Sequence, residues 1–304
     1  MNKARAVELI KKNSSPLKPL PAALPPEWEK PEPGDSLRFG VCCANSTGEE
    51  LSIKALIFDL YGTLFVSAAG DIAAAGDNPE CPSGSGAAAA AGRDRGALEE
   101  MEAFFRGAVK ERHGKSGKKY PEVRVEEIWA GYGGPVPPGW EAADGEETAL
   151  RYELAVNPVY PMPGALETIA ALKKAGLTLG IISNAQFFSP LLFDAFFGAS
   201  PGELGFDREL LIYSFEMDEA KPAPGLFERA AARLAALGIG PAETLYTGND
   251  MLKDAAPAKN AGFRTALFAG DRRSLRLRET ECPGQRPDLI IRNLPSLASP
   301  PIIN

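Results

Sequence analysis

The chain has 304 residues, 44% of them hydrophobic, with 40 acidic and 33 basic side chains and a formal net charge of −7. This length admits one large domain or a core with a smaller companion, and the acidic balance argues against a nucleic-acid groove, which needs clustered lysine and arginine. His113 is the single histidine and Cys42, Cys43, Cys81 and Cys282 form no Cys-x-x-Cys pair, so zinc and histidine-based triads find few ligands, and reduced thiols in a cytoplasmic protein are expected.

Residues 1–50 read as an N-terminal extension. A short helix is expected over 4–12, then seven prolines fall between Pro16 and Pro33, a density that blocks helix interiors and favours extended, solvated chain. RFGVCC (38–43) reads as a strand. The start of the chain has no apolar core of signal-peptide length, and no apolar run approaches membrane-spanning length, so no membrane partner is expected.

At Ile53 the pattern changes. KALIFDLYGTLF (54–65) starts with a continuous apolar run and ends in a polar turn, the signature of a strand buried on both faces of a parallel sheet. Asp59 stands where that strand finishes.

The stretch 66–160 reads as a helical unit inserted into the chain. Residues 66–92 hold ten alanines and five glycines and act as a linker, with a loop at 78–86. Helices are expected from Ala97 to about Arg112, where Met101, Phe104, Phe105 and Ala108 recur at helical spacing, and from Glu146 to Val156, with a loop at 131–140 between them. Trp129 and Trp140 read as packing residues, His113 as exposed, and Arg93, Arg95, Arg106 and Arg112 as a solvated basic face.

From Pro163 a βαβ rhythm persists. A helix over 164–176 places Leu166, Ile169 and Leu172 on one face and ends at Gly176. It is followed by a strand at 177–183, an apolar helix around 187–198 and a strand at 210–215. A helix over 225–238, a strand at 244–248, a helical stretch to about Ala261, and strands at 264–270 and 288–293 complete the list. Such alternation predicts a Rossmann-like, doubly wound parallel α/β sheet. The core then comprises 51–65 and 161–298, the insertion 66–160, and the tail 299–304.

Ligands in such sheets bind beyond the carboxyl ends of the strands. Asp59, Ser183 with Asn184, Lys221 with Pro222, and Gly248-Asn249-Asp250 with Asp254 all fall at such ends. A carboxylate there can act as a nucleophile, Lys221 and Ser183 can bind phosphoryl oxygens, and clustered carboxylates suit Mg²⁺.

These four motifs, Asp59-Leu60-Tyr61-Gly62-Thr63-Leu64, Ser183-Asn184, Lys221-Pro222 and Gly248-Asn249-Asp250 with Asp254, occur in order over about 53–295, and together they resemble the haloacid dehalogenase superfamily, in which many members carry a helical cap where 66–160 falls. The resemblance implies that Asp59 is the nucleophile and that Thr63, Ser183, Asn184 and Lys221 bind a phosphate. It implies Mg²⁺ held by Asp59, Asp250, Asp254 and the Tyr61 carbonyl, and a small anionic substrate. Most phosphatases of that superfamily have an aspartate two residues after the nucleophile as general acid and base. Here Tyr61 stands there, as in the dehalogenase branch, which attacks carbon without metal. Loss of general acid–base catalysis costs roughly 10²–10⁴-fold in rate. The expectation is therefore a Mg²⁺-dependent phosphatase, with metal-free carbon–halogen hydrolysis and a poorly active phosphate-binding module as alternatives.

Overall fold

The computed structural model describes residues 1–29, 43–44, 50–51, 53–70 and 95–298. The strand expected at 38–43, except Cys43, most of the 66–92 linker, Arg93 and the tail 299–304 lie outside the described residues. Two short antiparallel pairs are present: β1 (Cys43–Ala44) with β2 (Glu50–Leu51), and β4 (Phe65–Ser67) with β5 (Val159–Pro161). The main sheet contains β3 (Ala55–Phe58), β6 (Thr178–Ser183), β7 (Phe206–Tyr213), β8 (Thr244–Gly248), β9 (Arg264–Phe268) and β10 (Leu289–Ile291). Their spatial order is β10-β9-β8-β3-β6-β7, parallel throughout. This is the doubly wound α/β arrangement that the alternation of strands and helices predicts.

The apolar run of β3 explains its central place. Leu56 and Phe58 point into one hydrophobic core, Ala55 and Ile57 into the other, and all four are fully buried. Each large side chain so buried contributes about 1.5–3 kcal/mol, so this strand is stable only with helices over both faces.

The helices used below are α1 (Lys3–Asn13), α2 (Arg95–Ser116), α3 (Val125–Ala130), α4 (Gly145–Val156), α5 (Ala165–Lys174), α6 (Leu191–Phe197), α7 (Gly225–Ala236) and α8 (Ala256–Asn260). Among the described residues no helix is long and apolar enough to cross a membrane. In α5 the buried face is Ala165, Thr168, Ile169 and Leu172, whereas Leu166 is exposed. The expected Leu166 contact fails because the 100° step per residue swings position 166 away from the 165/169/172 stripe. The strand expected at 210–215 instead starts at Phe206 and stops at Tyr213, where Ser214–Met217 turns helical.

Between the paired strands β4 and β5, helices α2, α3 and α4 pack around an aromatic cluster. Phe105 stacks on Trp129 with ring centroids 5.3 Å apart, and Tyr152 lies 4.7 Å from the same indole. Trp129 and the buried Trp140 are thus packing residues.

Residues 14–27 are mostly exposed or half-buried, and the extension docks on the core at a few apolar points. Ala6, Leu9 and Ile10 of α1 are buried, and Leu24 and Trp28 pack with Met251, Ala255 and Leu267. The Trp28 indole N–H donates to Glu279 at 2.7 Å, and the Arg286 guanidinium lies over its ring at 4.1 Å. Prolines fix the backbone of this segment before folding, which lowers the entropy lost when its few large apolar side chains dock.

Candidate active site

The chain leaves β3 for β6 and β7 on one side of the sheet, then returns to β8, β9 and β10 on the other. A crevice opens at such a reversal, beyond the carboxyl ends of the strands. Asp59 follows β3 there, and its backbone N–H donates to the Thr247 carbonyl at 2.9 Å. Gly62 then turns the chain at φ +81°, and its N–H reaches the Phe65 carbonyl at 2.7 Å. A Cβ on Gly62 would lie 2.3 Å from Ser274 Cβ. Gly62→Ala therefore combines an unfavourable φ with a clash against a buried neighbour, and a loss of about 2–5 kcal/mol in chemical denaturation is expected; a loss under 1 kcal/mol (about 0.5 is the usual surface value) would contradict this reading.

Asp59 is buried, and its Oδ1 accepts from Ser183 Oγ at 2.9 Å and from Lys221 Nζ at 2.7 Å. Oδ2 has no hydrogen-bond partner among the described residues. The same ammonium donates to Asp254 Oδ1 at 2.5 Å and lies 3.1 Å from the Tyr246 hydroxyl. One buried lysine thus serves two buried carboxylates. Burial, assisted by the Asp254 charge and opposed by Lys221 and Ser183, pushes the Asp59 carboxyl up to about 7. The two carboxylates hold the Lys221 ammonium above its usual range despite burial.

Asp254 is saturated. Oδ1 receives Lys221 and the Tyr246 hydroxyl at 2.8 Å, and Oδ2 accepts from the backbone N–H groups of Asn249 at 3.0 Å and Asp250 at 2.9 Å. Four donors meet the roughly four lone-pair sites of a carboxylate. Asp250 is equally engaged: Oδ1 accepts from the N–H groups of Leu252 at 2.8 Å and Lys253 at 3.2 Å, and Arg278 grips both oxygens through Nε at 3.2 Å and Nη2 at 2.9 Å. A Mg²⁺ ion needs free oxygen lone pairs. The residues as arranged do not fit the Mg²⁺ centre expected on Asp59, Tyr61, Asp250 and Asp254, and among the described residues no group of three or more acidic, histidine or cysteine side chains could hold a metal ion.

The other expected site residues are used differently from one another. Asn184 clamps the main chain of Lys221, accepting from its N–H at 2.7 Å and donating to its carbonyl at 3.3 Å. The Thr63 hydroxyl, fully buried, donates to Asn249 Oδ1 at 3.0 Å. The Tyr61 hydroxyl lies 2.8 Å from Ser189 Oγ. Asp59, Ser183, Lys221 and Asp254 form one contiguous cluster; Asn184 and Thr63 brace the loops that carry it.

The sequence profile of haloacid dehalogenase-like hydrolases matches residues 53–262. The chain belongs to that family. Among curated proteins, a glyceraldehyde 3-phosphate phosphatase of Pyrococcus furiosus is 31% identical over 113 residues, 35% of this chain and 41% of that protein. An N-acetylmuramic acid 6-phosphate phosphatase of Pseudomonas aeruginosa is 30% identical over 110 residues, 35% of this chain and 43% of that protein. The chain thus matches about two fifths of the length of these relatives. Among solved structures, a 2-haloacid dehalogenase of Pseudomonas syringae shows 20% identity and a TM-score of 0.43, covering 81% of this chain and 96% of that one.

Three further residues shape the site of this family member: Tyr246 and Arg278, which no motif includes, and Gly248, which the motif includes without showing why a glycine is needed. Tyr246 stands two residues before Gly248 on β8, so strand alternation brings both to one face, where the phenol meets Lys221 and Asp254. Gly248 lacks a side chain because a Cβ would lie 2.4 Å from Asp254 Cγ. Arg278 comes from a basic run, DRRSLRLR (271–278), whose spacing carries no signal for a partner on Asp250. The helical region also reaches the site: the Ala220 N–H donates to the Tyr120 carbonyl at 2.9 Å, and Ser214 Oγ donates to Glu122 Oε2, so segment 120–122 braces the loop that delivers Lys221.

Proposed function

We propose that this protein hydrolyses a small phosphorylated metabolite through an aspartyl-phosphate on Asp59. One observation carries the reading. Asp59 lies at the reversal of a doubly wound sheet with Oδ1 fixed by Ser183 and Lys221, and Oδ2 without a hydrogen-bond partner among the described residues. A carboxylate fixed through one oxygen presents the other as the nucleophile. In the first step Oδ2 forms a bond to phosphorus while the bond from phosphorus to the ester oxygen breaks, and the departing oxygen takes a proton from water. In the second, water attacks phosphorus, the bond to Asp59 breaks, the proton that this water gives up neutralises the hydroxide left by the first step, and inorganic phosphate leaves. Ser183 and Lys221 neutralise charge beside the reacting carboxylate. The phosphatase names of the curated relatives support the substrate class.

Carbon–halogen hydrolysis by the same carboxylate is a second reading, favoured by Tyr61, whose hydroxyl is turned onto Ser189. Hydrolysis of p-nitrophenyl phosphate by wild type and Asp59→Asn, each with Mg²⁺ and with EDTA, tests the proposal. Asp59→Asn should fall by about 10³-fold or more. No Asp59-dependent phosphate release in either medium would overturn the phosphatase reading, and Asp59-dependent halide release from a 2-haloacid with EDTA present would establish the second.

A further inference from the structure

Asp250 opens the helical turn after β8, and two of its four acceptor positions go to the backbone N–H groups of Leu252 and Lys253. The remaining positions are those with which a clustered set of carboxylates would otherwise gather a hard cation. They meet the Arg278 guanidinium, which forks onto both oxygens through Nε and Nη2. This geometry is the bidentate, charge-assisted kind, about twice as strong as a neutral hydrogen bond.

The chain delivers this arginine at a cost. Arg278 has φ 51°, in the left-handed region that residues with a Cβ disfavour by about 1–2 kcal/mol. The segment before it is tied to the Asp250 loop at several points. The Arg276 N–H donates to the Asn249 carbonyl at 2.9 Å, the Met251 N–H donates to the Arg276 carbonyl at 2.9 Å, and the Asn249 side-chain amide donates to the Ser274 carbonyl at 2.7 Å. A strained residue held by such surroundings is over-determined by the fold. Its side chain keeps 29% of its surface in solvent, against 6% for Asp250.

We infer that Arg278 is the built-in counter-cation of Asp250 and excludes divalent metal from that carboxylate. A guanidinium and a divalent ion repel each other and require the same lone pairs, so one displaces the other. Asp254 offers no alternative, since its four acceptor positions are filled by Lys221, Tyr246 and two backbone N–H groups. The inference is independent of which bond Asp59 breaks.

Mn²⁺ titration of the full chain tests it, with free ion read from its paramagnetic resonance and the same samples followed by thermal unfolding. The variants are wild type, Arg278→Ala, Arg278→Gln and the double variant Arg278→Ala with Asp250→Asn. Arg278→Ala should bind Mn²⁺ at least about tenfold more tightly than wild type, a difference of about 1.4 kcal/mol, and should gain thermal stability on adding the ion. The double variant should lose that gain. If the alanine variant does not fold, Arg278→Gln, which keeps two N–H donors without the charge, carries the same comparison. Equal Mn²⁺ affinity in wild type and the folded Arg278 variant overturns the inference, as does a gain that survives Asp250→Asn.

Discussion

Lys221→Met is expected to abolish turnover and to lower folding stability by about 3–5 kcal/mol near neutral pH, with part of that stability returning as the solution is acidified. Methionine keeps most of the apolar stem, so the loss isolates the ammonium. Lys221 is buried and bridges Asp59 at 2.7 Å and Asp254 at 2.5 Å. Without it two buried carboxylates face each other with no cation. The Asp59 carboxyl, already raised by burial to about 7 from an ordinary value of 3.8 with Lys221 in place, loses the charge that lowers it and moves higher. The folded variant then takes up protons that the unfolded chain releases, so destabilisation is complete above the folded pKa and shrinks as pH falls from there toward the unfolded value near 3.8. Urea unfolding of both proteins at about pH 8 and about pH 5 reads this out. An equal loss at both pH values, or a loss typical of a surface change (about 0.5 kcal/mol), would show that Lys221 is not the cation holding this cluster together.

That cluster also shows what the sequence makes legible. The apolar run 55–58, buried on both faces, marks the central strand because strand period and apolar composition coincide there. Asp59, Ser183 and Lys221 could be expected together because each follows a strand in a parallel sheet, and the topology brings those ends to one edge. The fine use of each group was not legible, since it depends on local geometry that spacing does not encode. Asp250 and Asp254, four residues apart, would share a face of an ordinary α-helix, but Met251–Ala255 forms a wider π-helical turn. That turn and the missing side chain of Gly248 let Asp254 fold back beneath the strand end, onto Lys221 and the backbone N–H groups of its own loop. Asn184 was expected on a phosphate and instead holds the Lys221 main chain, because the two loops run within hydrogen-bond reach. Arg278 was illegible for a third reason: its partner is 28 residues upstream and its backbone is in a conformation that no propensity favours.

In the proposed reaction, burial first and then the division of one lysine between two carboxylates would set the pH at which Asp59 is ionised. A nucleophilic carboxylate must be ionised, so kcat/KM should fall on the acid side with an apparent pKa near the value of about 7 to which burial raises Asp59. Asp254 contributes to that elevation, because its negative charge opposes ionisation of Asp59 and draws on the same ammonium. Asp254→Asn removes the charge and leaves Lys221 to Asp59 alone. The acid limb is therefore expected to move to lower pH, toward the ordinary carboxylate range. The amide also brings N–H donors toward groups that already donate, at a stability cost of about 1.5–3 kcal/mol. Tyr246→Phe supplies the contrast: it deletes the 2.8 Å contact to Asp254 but keeps both carboxylates and the ammonium, so its acid limb should stay closer to that of wild type. Measuring kcat/KM against pH for the three proteins on one phosphoester keeps the ionisation of the substrate common to all. An Asp254→Asn limb that stays in place or moves upward would mean that Asp254 does not compete for Lys221, and that burial alone sets the working range of Asp59.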